Sequence, residues 1–150
     1  MQVIHGAMLA GMALLAAIAT WLIISRGALG QADASFGKTL QVVVVLAAIG
    51  ATAAGFTVFK KRIQAIGPLE TVQNKIAAYR AAAIIRWALV EFPTLLSLIA
   101  FLLTGNYAFL ALGIALMLLF AVLRPAKLMI VYLLKLTEKE VSELEGGASE

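Results

Sequence analysis

The chain has 150 residues, 63% of them hydrophobic and only 13% charged, with a mean hydropathy of +0.99. A soluble domain runs at about 45–50% apolar and about 25% charged, so a water-soluble fold of this size cannot hide the surplus, and lipid is the surface that accepts it. The absence of cysteine excludes disulfides and thiol chemistry. A single histidine and no acidic cluster in the apolar part argue against a haem or metal centre, so no cofactor and no metal is expected.

The first apolar run spans 3–24 and is interrupted only by His5. It lacks a basic n-region and exceeds the h-region of a cleaved signal, about 7–15 residues. It therefore reads as a membrane span. The second run covers 40–59, the third 81–104 with Arg86 and Glu91 inside it, and the fourth 107–123. A helix crosses the hydrocarbon core with about 17–25 residues, and all four runs meet that length. Between the second and third runs, Gly67-Pro68 breaks the chain and a helix resumes near Leu69. Gly105-Asn106 between the third and fourth reads as a tight turn, because both residues tolerate positive φ. Arg124-Pro125 closes the fourth run. Residues 126–136 form an amphipathic segment with Lys127 and Lys135 as anchors, lying at the surface or extending the fourth helix. From 137 to 150 the chain is an acidic tail, with capping-box spacing between Thr137 and Glu140.

The basic residues set a topology. Lys60, Lys61, Arg62, Lys75 and Arg80 lie between the second and third runs. Arg124, Lys127, Lys135 and Lys139 follow the fourth, and Arg86 can snorkel back toward the same side. Only Arg26 and Lys38 lie between the first two runs. Short cytoplasmic loops collect Lys and Arg. The expectation is therefore an all-α, polytopic four-transmembrane-helix bundle in the bacterial inner membrane, N-in and C-in. The net charge of +4 calls for membrane lipid head groups and no nucleic acid. Nothing in the chain points to an enzyme.

Within lipid, helices associate through close approach of small residues. Ala47, Ala51 and Gly55 repeat every four residues, with Gly50 and Ala54 beside them, so packing is expected along Ala47, Gly50, Ala51 and Gly55. These contacts can form within one chain, in a homo-oligomer or in a larger membrane complex. His5 reads as an interfacial residue.

One residue is out of place. Glu91 is the sole acidic residue of eight that falls inside an apolar run. A carboxylate at the bilayer centre costs about 2.5–3.5 kcal/mol on insertion scales, and such residues are default candidates for ion or proton sites. Arg86 is five residues away, about 140° around a helix of about 3.6 residues per turn, so the two do not form a natural pair. Pro93 removes the N–H that the Leu89 carbonyl would accept, loosening the helix beside the acid. Glu91 is thus the candidate ion- or proton-binding residue, with Arg86 and Pro93 in support and no catalytic residue.

LAAIGATAAG (46–55), the basic loop from Lys60 to Arg62, and KIAAYRAAAIIRWALVEFPTLLSLIAFLL (75–103) together resemble the hairpin of the rotary ATP synthase proteolipid c subunit. By that resemblance, over about residues 42–103, Glu91 matches the ion-carrying carboxylate and the Gly50–Gly55 region matches the small-residue face. The family favours a small residue where Pro93 stands here, and the first and fourth runs are additional to its hairpin. The chain as a whole is similar to small bacterial four-span inner-membrane proteins, a likeness that implies no activity. Three readings follow: a proteolipid-like subunit handling a proton or cation at Glu91, a structural or assembly subunit of a membrane complex, and a small dimeric transporter.

Overall fold

The computed structural model describes residues 1–30, 34–66, 71–125, 127–134, 136 and 141–142. Five helices follow in order: α1 (Gln2–Arg26), α2 (Ala34–Gln64), α3 (Val72–Thr104), α4 (Tyr107–Val122) and α5 (Lys127–Leu134). No strand occurs among the described residues. The helix resuming after Gly67-Pro68 starts at Val72, with the Thr71 hydroxyl accepting the Asn74 N–H at 3.3 Å. That bond satisfies one of the donors a helix start leaves free. From there α3 enters the third apolar run and continues unbroken across Pro93 to Thr104.

The 105–106 turn forms, but its two residues do different work. Gly105 ends α3 in the left-handed region at φ 66, its N–H bonded to the Phe101 carbonyl. Asn106 is extended at φ −80, and its side-chain oxygen accepts the Ala108 N–H at 2.9 Å to start α4. At the far end α4 stops at Val122, and α5 is a separate helix rather than an extension of it. Leu134 of α5 is buried, and Ile130 and Leu133 pack with it against the core. The Thr137–Glu140 capping box and most of the acidic tail lie outside the described residues.

α3 is the hub, touching α1, α2 and α4, while α1 also touches α4. Consecutive helices run antiparallel, which leaves the touching pair α1 and α3 parallel. A Cβ on Gly55 of α2 would meet Leu89 Cβ at 3.2 Å and the Arg86 carbonyl at 3.4 Å. The loop after α1 reaches the end of α3, where Leu29 and Gly30 donate backbone N–H groups to the carbonyls of Leu102 and Leu103, both at 3.0 Å. One end of the bundle therefore holds Gly27–Gly30 and Gly105-Asn106. The other holds the start of α1, the end of α2, the start of α3 and the end of α4.

Two apolar clusters stack along this axis. One, at the end rich in basic residues, gathers Met12, Phe59, Tyr79, Trp87, Val90 and Phe120. The other, toward Gly105, gathers Ala19, Val44, Ala100, Phe101 and Phe109. Large apolar side chains also cover the outside, including Leu14, Trp21, Val42, Leu46, Ile49 and Leu118. Three helices, α1, α2 and α3, are long and apolar enough to cross a membrane, and α4 is a shorter apolar helix.

Candidate functional site

Glu91 lies half-buried on α3, one turn from Trp87 and beside the exposed Phe92. Among the described residues the structure gives its carboxyl no hydrogen bond and no ion pair. The side chains around it explain why. Arg86, the nearest cation along α3, points to the other side of the helix, where its guanidinium lies 3.9 Å from the centroid of the Phe59 ring and 5.9 Å from that of Phe56. A guanidinium over an aromatic face is held by the ring quadrupole. The anchoring expected of Arg86 thus takes the form of a helix-to-helix stack on α2 instead of a reach toward the loop. Its buried Nε has no hydrogen-bond partner.

Pro93 is buried in the same turn as Glu91. The next residue, Thr94, is completely buried and turns its hydroxyl back to the Val90 carbonyl at 2.8 Å, a bond that Ser and Thr often make inside helices. Three residues further on, Ser97 is also completely buried, and its hydroxyl has no partner. Ser97 faces α4 at Gly113, where an added Cβ would come within 3.6 Å of Ser97 Cβ and 3.1 Å of the Leu98 side chain. Glu91, Thr94 and Ser97 occupy the stretch of α3 between the two apolar clusters. Their spacing of three, readable in the sequence beside the acid, was the signal available for this polar track.

The small residues of α2 divide between faces. Gly55 is buried in the α3 contact, and Ala47 and Ala51 are half-buried. Gly50 is exposed, and an added Cβ there would meet nothing within 4 Å, so it takes no part in packing within the chain. Val44, Ala48, Gly55 and Phe59 form the buried row instead.

His5, expected at the interface, is buried. Its Nε2 lies 2.9 Å from the Phe120 carbonyl, its ring stacks on Phe120 at 4.5 Å, and Trp87 meets it edge-on at 5.0 Å. Trp87 Nε1–H donates to the Leu123 carbonyl at 3.1 Å. The Phe120 carbonyl also accepts the Leu123 N–H at 3.0 Å, and the two rings add contacts from α1 and α3 to the end of α4. The cluster fastens three helices at the basic end.

Comparison with protein-family models, curated proteins and solved structures finds no match to this chain. The site therefore rests on its own chemistry. Among the described residues no group of His, Asp or Glu has the makings of a metal site. What α3 offers is one carboxyl without a partner, a proline beside it and two buried hydroxyls.

Proposed function

We propose that the chain is a four-span protein of the bacterial inner membrane in which Glu91 takes up and releases a proton or cation, in the manner of a proteolipid-like subunit. One observation carries this reading: the sole acid inside an apolar span has no partner among the described residues, while the neighbouring Arg86 is engaged by Phe59. A structural carboxyl would be expected to be paired, since an unpaired polar group in hydrocarbon is costly. With the Gly105 end of α3 at one membrane face, Glu91 lies about 20 Å below Thr104 and Arg86 about 27 Å below it, at about 1.5 Å per residue. In a core about 30 Å thick, Arg86 falls near the inner boundary and Glu91 within the hydrocarbon. Lys60, Lys61, Arg62, Lys75, Arg80 and Arg124 cluster at the opposite end from Gly105, which supports cytoplasmic termini.

Half-exposure of Glu91 beside the outward Phe92 favours a second reading, in which the acid contacts another membrane chain and serves assembly. Proteoliposome flux separates the two. Loss of proton or cation flux in Glu91→Gln with assembly intact supports the carrier, whereas flux equal to wild type defeats it. A carbodiimide that attacks protonated buried carboxyls should label Glu91 selectively. Reporter fusions should place Gly105-Asn106 outside the cytoplasm, and a cytoplasmic signal there sinks the topology.

A further inference from the structure

Arg86 is a cation without an anion. Its guanidinium stacks on Phe59, its Nε is buried with no hydrogen-bond partner, and among the described residues it makes no ion pair. The N–H donors of a guanidinium lie around its edge, so a ring beneath its face leaves them unanswered. A charge held at the hydrocarbon boundary in this way is costly unless something pairs with it.

A second cation stands close by. The contact of Gly55 with Arg86 and Leu89 sets the register of α2 on α3. It places Lys60 about 8 Å beyond Gly55 toward the basic end, at about 1.5 Å per residue. Helical side chains lean toward the N-terminus of their own helix. Because α2 and α3 are antiparallel, Arg86 leans toward the basic end and Lys60 leans back from it, so both are aimed at the same stretch of α2. The Arg86 guanidinium lies nearer Phe59 than Phe56, at 3.9 against 5.9 Å, in keeping with that lean.

Lys60 and Phe56 are four residues apart, share a face of α2 and are both exposed. Ile49 and Val45 continue that face toward the Gly105 end and are exposed too. Two cations at the inner boundary, with an apolar strip running from them into the core, match an anionic amphiphile. A free phosphate matches only the first half.

We infer that the α2–α3 face at Arg86, Phe56 and Lys60 binds one anionic phospholipid of the inner leaflet, its phosphate on the two cations and an acyl chain along Ile49 and Val45. The guanidinium edge suits two phosphate oxygens, and Phe59 fixes its plane. The inference rests on the membrane-spanning part of the reading above and not on proton exchange at Glu91.

The test offers the full chain in mild detergent equal amounts of phosphatidylglycerol and phosphatidylcholine, and native mass spectrometry reads which stays bound. Wild type should prefer phosphatidylglycerol. Arg86→Gln and Lys60→Gln should each lower that preference about fivefold, the usual weight of one basic residue at an anionic surface. Lys60 is exposed, so Lys60→Gln decides the matter even if Arg86→Gln fails to fold. Lys61→Gln, about 100° around α2 from Lys60, should leave the preference unchanged. An equal loss in Lys61→Gln and Lys60→Gln means that diffuse surface charge governs, and the site is overturned. Displacement of the lipid by excess inorganic phosphate overturns the lipid as occupant. A chain that alkaline washing strips from membranes overturns the membrane-spanning reading together with the site. One that resists washing yet binds both lipids equally overturns the site alone.

Discussion

Gly30→Ala tests the packing of the Gly105 end most directly. A Cβ on Gly30 would stand 2.7 Å from the Leu103 carbonyl oxygen, whereas carbon–oxygen contacts settle at about 3.3–3.6 Å. The loop must therefore retreat by about 0.6 Å or more, because the obstruction is backbone and cannot rotate away. Its two bonds, Leu29 N–H to Leu102 and Gly30 N–H to Leu103, are 3.0 Å long. A retreat of that size takes them to about 3.6 Å, beyond a useful hydrogen bond. At about 0.5–1.5 kcal/mol each, the loss is about 1–3 kcal/mol. Gly50→Ala is the matched control, since its Cβ meets nothing within 4 Å. Within a helix it is expected to be neutral or to stabilise by up to about 1 kcal/mol. Unfolding of both variants by SDS in mixed micelles, followed by tryptophan fluorescence, reads the difference. Equal midpoints for Gly30→Ala and Gly50→Ala would refute the reasoning.

Three further outcomes are expected, the first read by cross-linking and the other two by the same unfolding assay. Gly55→Leu should separate α2 from α3, because Leu89 Cβ and the Arg86 backbone already stand where its first carbon would lie. Cysteines placed across that crossing should lose their cross-link, and a retained cross-link contradicts the contact. Trp87→Phe keeps most of the ring but removes the donor to the Leu123 carbonyl, so it should cost about 1 kcal/mol; an unchanged midpoint shows that bond to be immaterial. Phe59→Leu removes the face under Arg86 and should cost about 0.5–2 kcal/mol. An equal loss when Phe59→Leu is made in an Arg86→Leu background would show that the stack contributes nothing.

The fate of α2 shows where reading the chain stopped short. Its small residues occur so often that every face of the helix offers some, and nothing in their order separates Gly50 from Gly55. The buried row became visible only when Gly55 was seen against Arg86 and Leu89. His5 was hidden for a related reason. A lone polar residue near the start of an apolar run fits the interface equally well, and its partners, Trp87 and Phe120, are remote in sequence. Arg86 could be recognised as unpaired with Glu91 from helical angle alone, but its seat on Phe59 depends on how α2 crosses α3.

Helices, turn and end-to-end charge bias follow from the order of residues, because a long apolar run satisfies its backbone only as a helix and Gly105 permits the left-handed stop. The unpartnered acid at Glu91 was equally plain, since one carboxyl among apolar neighbours has no local partner to find. Which faces meet was a tertiary decision. A helix apolar around its whole circumference has no periodic face to read, so only the packing of α3 against α1, α2 and α4 buried Thr94 and Ser97 and left Glu91 at the edge.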